Sequence, residues 1–80
     1  MIETIIKFNT TNDISRFVAM TNKYSHNIYL HSGRYIVDGK SIMGIYSLDW
    51  SKPIKIEVDE PFDRGFINDL APYIWEGRTI

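Results

Sequence analysis

Apolar and polar residues alternate in several stretches of the chain, and this period of two predicts β-strands. Residues 3–8 and 54–58 show the alternation most clearly, with Ile54, Ile56 and Val58 separated by charged residues. Residues 27–31 and 34–38 predict two further strands joined at Ser32-Gly33, because glycine supplies the positive φ that a tight turn needs. In the first of these two strands we expect Ile28 and Leu30 to face the helices and Tyr29 and His31 to lie on the open face of the sheet.

A helical period replaces the alternation after residue 12, where a first helix is expected to begin at Asp13. Thr11 or Asn12 is available as its N-cap, and the helix is expected to end near Tyr24 or Ser25. Its inward stripe follows the spacing i, i+3, i+4 and i+7, and Met20 falls on a different face. The predicted stripe consists of Ile14, Phe17, Val18 and Thr21.

The last helix is predicted to begin after Asp63, which suits the N-cap position. Pro72 interrupts its pattern, so we expect the helix to kink there or to stop near Ala71 and restart. Gly77 is expected to close the last turn. The predicted inner stripe consists of Phe66, Ile67, Leu70 and Ile74.

A short helix is predicted between the third and fourth strands, with Ser41 as its N-cap. The five apolar residues of this segment are too many for one face of a two-turn helix, so some of them must point outward. An outward apolar cluster on a small domain usually marks a contact surface. Trp50, in the loop that follows, is also expected to be exposed. The five residues are Ile42, Met43, Ile45, Tyr46 and Leu48.

The predicted element order is strand, helix, strand, strand, helix, strand, helix. This order gives an α+β fold, an open-faced β-sandwich in which a four-stranded antiparallel sheet carries its helices on one face. The 80 residues form one domain, because a chain of this length has no room for a second core.

Charge and composition narrow the classes of function. Residues 1–55 carry seven basic and four acidic side chains, giving +3, and residues 56–80 carry two basic and six acidic ones, giving −4. The basic excess is too small and scattered to indicate nucleic-acid binding. No apolar stretch approaches the length of a membrane span, and the absence of cysteine suits a cytoplasmic protein. We expect a cytoplasmic monomer that binds neither nucleic acid nor membranes.

The run Lys40-Ser41-Ile42-Met43-Gly44 resembles HPr, the phosphocarrier of the bacterial sugar phosphotransferase system. Weaker similarity to the same family is found at Lys23-Tyr24, in residues 28–33 and in residues 54–58. The resemblance implies the open-faced sandwich and assigns Ser41 as a regulatory phosphorylation site. It also implies a docking surface for partner proteins, for which we predict Lys40, Ile42, Met43, Tyr46 and Met20.

The active histidine of that family lies between the first strand and the first helix, and this chain has no histidine there. Residues 9–16 read Asn-Thr-Thr-Asn-Asp-Ile-Ser-Arg, and Ile14 is expected in the core. His26 is predicted to be a helix-end or solvated group, and His31 to be the cross-strand partner of a tyrosine. Phosphate transfer through the family's histidine is therefore not expected.

The sequence contains no recognisable catalytic or metal-binding pattern. We therefore expect that the protein is not an enzyme and that it has no catalytic residue, metal or cofactor. The leading hypothesis is an HPr-like regulator or docking protein. Its expected partners are phosphotransferase components, the family's serine kinase or a transcription regulator. One alternative is a phosphotransfer protein that uses a displaced histidine, His26 or His31. A third reading is an HPr-fold module with an unrelated partner.

Overall fold

The computed structural model describes residues 2–60 and 63–77. The elements follow the predicted order and lie within a few residues of the predicted ranges. They are β1 Ile2–Ile6, α1 Thr11–Thr21, β2 Ile28–Ser32, β3 Tyr35–Asp38, α2 Ile42–Tyr46, β4 Ile54–Val58 and α3 Arg64–Leu70, followed by a 3₁₀ turn at Ala71–Tyr73.

The four strands form one antiparallel sheet in the order β1-β4-β2-β3. The inward positions of β2 and β4 alternate as predicted, since Ile28, Leu30 and Ile56 are buried beneath the helices. The predicted α+β open-faced sandwich is therefore confirmed. The buried apolar core consists of Ile6, Phe8, Ile14, Phe17, Met20, Ile28, Leu30, Ile45, Leu48, Ile54, Ile56, Val58, Phe66 and Leu70.

Helix α1 begins at Thr11, two residues before the predicted start at Asp13. Thr10 is the N-cap, and its hydroxyl oxygen accepts a hydrogen bond from the Asp13 amide at 3.1 Å. The Asp13 carboxylate reaches back and accepts bonds from the amides of Asn9 at 2.9 Å and Thr10 at 3.2 Å. These reciprocal bonds form a capping box, in which Asp13 is the third helical residue. The helix therefore begins before Asp13, because the Asp13 side chain satisfies amides that precede the helix.

The buried stripe of α1 differs from the prediction at one position. Ile14, Phe17 and Thr21 are buried as expected, but Met20 is also buried while Val18 is only half-buried. Packing against several elements widens the apolar face of the helix beyond the four predicted positions. The expected placement of Met20 outside the core is therefore wrong.

Pro72 ends the regular helix as predicted. α3 stops at Leu70 and continues only as the 3₁₀ turn, because proline lacks the amide that an α-helix would need. The chain then bends back to β1, where Ile74 forms a bridge with Ile6. Gly77 has φ 70° but lies beyond this bridge, so it does not close a helix. Ile67 and Ile74 are exposed, which corrects the predicted inner stripe.

Trp50 was expected to be exposed, but its ring is half-buried and packs against the core. No helix within residues 2–60 and 63–77 is long and apolar enough to span a membrane.

The capping box at α1 gives a testable stability prediction. Asp13→Ala removes the acceptor for the amides of Asn9 and Thr10, so the free energy of unfolding should fall by about 1 kcal/mol. Urea denaturation followed by circular dichroism measures this change. Asn12→Ala, an exposed substitution in the same helical turn, should change the value by less than about 0.5 kcal/mol. Equal effects of the two substitutions would contradict the role given to Asp13.

Candidate functional site

Ser41 is the N-cap of α2, as the sequence predicted. Its hydroxyl oxygen accepts a hydrogen bond from the Gly44 amide at 3.1 Å, and its carbonyl accepts one from the Ile45 amide at 3.1 Å. The Ser41 amide in turn donates to the carbonyl of Asp38 at 3.1 Å, at the end of β3. The residue is therefore fixed by bonds to both the strand before it and the helix after it.

Helix α2 and Leu48, which follows it, divide their apolar side chains between the core and the solvent. Ile45 and Leu48 are buried and Ile42 is half-buried, whereas Met43 is 74% exposed and Tyr46 is 39% exposed. A helix of five residues has too little surface to bury all of these side chains. We call the exposed region formed by Lys40, Ile42, Met43 and Tyr46 the α2 surface.

The end of α1 fixes the segment that leads into α2. The buried Thr21 hydroxyl donates to the carbonyl of Gly39 at 2.9 Å, and the Asn22 side-chain amide donates to the carbonyl of Lys40 at 3.1 Å. We call these two bonds the α1 anchor. A buried hydroxyl costs free energy unless it is hydrogen-bonded, so the Thr21 bond also satisfies the one buried polar side chain of the described residues.

Gly39 permits a close approach between this segment and β2. A Cβ atom at Gly39 would lie 2.5 Å from Cγ2 of Ile28, which is far inside a normal contact distance. The Gly39 amide also donates to the Ile28 carbonyl at 2.8 Å. Any larger residue at this position would push the segment away from the sheet and would lengthen these bonds.

Lys40 faces the end of α1 from the other side of the segment. Its ammonium group donates to the carbonyl of Tyr24 at 2.6 Å, and its backbone amide donates to the Asp38 carboxylate at 2.8 Å. The ammonium group is therefore held at the end of α1, while the backbone of the residue is fixed to Asp38. Met20 lies in the core under α1 and is not part of this surface.

The aromatic group beside Lys40 contains His26. Its ring stacks on Tyr24 with a centroid distance of 5.5 Å and meets Phe66 edge to face at 4.8 Å. Both ring nitrogens are buried and have no hydrogen-bond partner among the described residues. The predicted helix-end or solvated role of His26 is therefore wrong.

Burial, together with the charge of Lys40, lowers the pKa of His26, although Asp63 and Asp59 oppose this effect.

Tyr24 links this aromatic group to α3. Its hydroxyl donates to the Asp69 carboxylate at 2.6 Å, and this bond raises the pKa of Tyr24 to about 12. The same bond lowers the pKa of Asp69, with a smaller contribution from Lys23 at 3.4 Å. No local pattern predicts this pair, because Tyr24 and Asp69 are far apart along the chain.

His31 lies on the open face of the sheet, as predicted, but its partner is an acid and not a tyrosine. Its Nε2 atom lies 3.1 Å from Oε1 of Glu57 on β4, and both side chains are largely covered. The register places Tyr29 directly opposite Glu57 and His31 opposite Lys55. The side chain of His31 therefore reaches Glu57 as a diagonal neighbour.

The α1 anchor was not predicted from the sequence, although Thr21 lies on the predicted inward stripe. A threonine on an apolar stripe must find an acceptor within the core, and that requirement was the available signal. The described residues contain no group of three or more His, Cys, Asp or Glu side chains arranged to hold a metal ion.

A four-stranded antiparallel sheet covered on one side by helices, with a serine-capped short helix after the third strand, defines the class as a βαββαβα open-faced sandwich. Solved structures with this architecture include two phosphocarrier proteins. HPr-C-His from Thermoanaerobacter tengcongensis superposes with a TM-score of 0.77 at 27% identity, covering 92% of this chain and 91% of that one. The phosphocarrier protein HPr from Bacillus anthracis superposes with a TM-score of 0.74 at 22% identity, covering 92% and 96%.

The chain is HPr-like in its fold, as its structure and its likeness to these proteins show. No protein-family model matches the sequence, and neither does any curated protein.

The α1 anchor gives a second prediction. Thr21→Val keeps the shape of the side chain but leaves the Gly39 carbonyl without its hydroxyl donor, so the free energy of unfolding should fall by about 1–3 kcal/mol. The amide resonances of Lys40 and Ser41 should shift in an NMR spectrum, because the segment loses its support. Thr11→Val, an exposed change in the same helix, serves as the control and should leave those resonances in place. Unshifted resonances in Thr21→Val would contradict the anchor.

The buried ring of His26 gives a prediction about pH. The pKa of His26 in the folded chain is lowered below its ordinary value of 6.5, so the unfolded chain takes up a proton first. The stability of the wild-type chain should therefore fall as the pH drops below about 6.5. His26→Phe removes both unpartnered nitrogens and should be more stable than the wild type, with a larger advantage at pH 5 than at pH 8.

Urea denaturation at several pH values measures this difference, and His26→Gln separates its two causes. Glutamine does not titrate but remains polar, so His26→Gln should remove this part of the pH dependence without gaining stability at pH 8. An advantage of His26→Phe that is the same at every pH would contradict the assignment.

Proposed function

We propose that this chain is a regulatory docking protein of the bacterial sugar phosphotransferase system and that it does not carry phosphate on histidine. The observation that carries the proposal is the 74% exposure of Met43 on a helix that is fixed on both sides. An unbranched, polarizable side chain on a rigid support suits contact with protein partners. The likeness to phosphocarrier structures supports a partner within the phosphotransferase system.

The connection from β1 to α1 supports the loss of the carrier function. Residues 7–10 contain no histidine, and the first turn of α1 contains none either. The Asp13 carboxylate accepts bonds from the Asn9 and Thr10 amides, and so places a negative charge at the helix start. A phosphoryl group brought to this place would meet an anion whose bonds already occupy those amides.

Neither remaining histidine is well placed to accept a phosphoryl group. Both nitrogens of His26 are buried within its aromatic group, and Nε2 of His31 is paired with Glu57. A displaced acceptor remains the alternative function, and it predicts acid-labile label after incubation with Enzyme I and phosphoenolpyruvate. Label that is lost in His31→Ala or His26→Ala would replace our proposal.

Phosphorylation of Ser41 is proposed as the regulatory step. The hydroxyl oxygen accepts the Gly44 amide and keeps its own O–H available, since the residue is only half-buried. A phosphate at this atom would add about −1.5 to −2 charge at pH 7. That charge would lie close to Lys40 and two residues before Met43, so it would change which partners the α2 surface accepts. The expected modifying enzyme is the family's serine kinase, and the expected place of action is the cytoplasm.

Binding measurements test the proposal directly. The purified chain is titrated by calorimetry with three probes, namely Enzyme I, the serine kinase of the family and a sugar-responsive transcription regulator. We expect at least one of them to bind, and Met43→Asp to weaken that binding at least about tenfold, because a charge in an apolar contact must be desolvated. Incubation with the kinase and ATP should add one phosphate to the wild type and none to Ser41→Ala.

Ile67→Asp is the matched control, since Ile67 is an exposed apolar residue on α3 and lies outside the α2 surface. It should leave the affinity unchanged. Equal weakening by Met43→Asp and Ile67→Asp would show that the docking surface is misplaced. No binding to any probe, together with no phosphorylation of Ser41, would favour an HPr-fold module with an unrelated partner.

A further inference from the structure

The two edges of the sheet are treated differently. Along β1, the amide of Lys7 donates to the carbonyl of Tyr73 at 2.9 Å, and the amide of Trp75 donates to the carbonyl of Ile5 at 2.9 Å. The segment after α3 therefore covers the end of that edge at residues 5–7. Along β3, Tyr35 is 69% exposed and Ile36 is 62% exposed, although both are large apolar residues. Exposed apolar edge strands can pair with another strand, although short length, charged side chains, proline, an inward charge or a bulge weakens that tendency.

The register shows which backbone groups of β3 face outward. The Gly39 amide donates to the Ile28 carbonyl, and hydrogen-bonded pairs alternate along an antiparallel ladder. Val37 and Tyr35 therefore direct their amides and carbonyls toward β2, whereas Ile36 directs both groups away from the sheet. No described residue outside the sheet is bonded to the backbone of Ile36, whereas the outward carbonyl of Asp38 already accepts the Ser41 amide at 3.1 Å. The open part of the edge is therefore centred on Ile36.

The sequence of this edge is complementary to itself. In an antiparallel pair of two β3 strands centred on Ile36, the two Ile36 residues exchange both backbone bonds, and each Tyr35 lies opposite Val37 of the other copy. Arg34 of each copy then lies opposite Asp38 of the other, so opposite charges meet at both ends of the pair. Asp38 is exposed, and Oδ1 of its carboxylate is the atom that accepts the Lys40 amide.

We propose that this chain forms a two-fold symmetric dimer through antiparallel pairing of β3 with β3 of a second copy, with Arg34 and Asp38 as reciprocal ion pairs. Both copies would then share one continuous eight-stranded sheet. The edge is four residues long, which is small beside the roughly 1,200–2,000 Å² buried in a standard stable interface. The dimer is therefore of low affinity and forms only in concentrated solution, so a dilute sample is monomeric. This inference does not depend on the proposed function.

Charge-swapped variants test the symmetry of the pair. Arg34→Asp places Asp opposite Asp38 twice, and Asp38→Arg places Arg opposite Arg34 twice, so each variant alone should dimerise at least about tenfold more weakly than the wild type. An equimolar mixture of the two variants restores opposite charges at both ends and should form a heterodimer. Arg34→Asp/Asp38→Arg should self-associate like the wild type.

Sedimentation equilibrium from micromolar to millimolar concentration gives the dissociation constants. In NMR spectra of the wild type, the amide resonances of residues 34–38 should move with concentration, while those of β1 should stay in place. Ile36→Pro removes the outward amide and should abolish dimer formation, and Ile67→Lys, an exposed change on α3, should leave it intact. A wild-type chain that stays monomeric at millimolar concentration would overturn the proposal. Dimer formation that is unaffected by the single charge variants and not restored in their mixture would overturn it as well.

Discussion

The hydrogen bond from Thr21 to the Gly39 carbonyl joins the end of α1 to the start of the α2 region, and the position of the candidate site depends on it. The segment from residue 39 to residue 41 has no regular structure of its own, so its carbonyls need donors from elsewhere. Thr21 and Asn22 supply them from one helix end, while Gly39 allows the chain to lie against β2. Ser41 is held by its neighbours on both sides before any partner binds.

This support explains how a five-residue helix can present a surface. An isolated helix of that length is unstable in water, because the conformational entropy lost in forming the first turn exceeds the stabilisation from its few hydrogen bonds. Here the Ser41 cap, the buried Ile45 and the bonds to α1 hold the turn in place. Met43 can then remain exposed without losing its position, and a rigid surface loses less entropy on binding than a flexible one.

The sheet and the N-caps of α2 and α3 could be predicted from the sequence because their signals are local, whereas the N-cap of α1 is Thr10 and not the predicted Thr11 or Asn12. Strict alternation located β4, and Ser41, Asp63 and Pro72 marked the ends of helices through their own chemistry.

The errors at Met20, His26 and Trp50 share a different cause. Their surroundings come from elements distant in the chain: His26, for example, packs against Phe66 of α3. Burial of such residues depends on tertiary packing, which a single periodic pattern does not contain. The predicted position of Ser41 as an N-cap is confirmed. The bond from Thr21 that supports its segment belongs to no local motif and could not be predicted in the same way.

The closure of β1 by residues 73–75 also orders events during synthesis. β1 pairs with β4, and one end of its outer edge is paired with residues 73–75, which are made later still. Contacts between such distant parts of a chain form slowly, because a long loop must close before they contribute. Both partners of β1 are thus synthesised after it, so its two edges can be paired only once residues 54–58 and 73–75 are available.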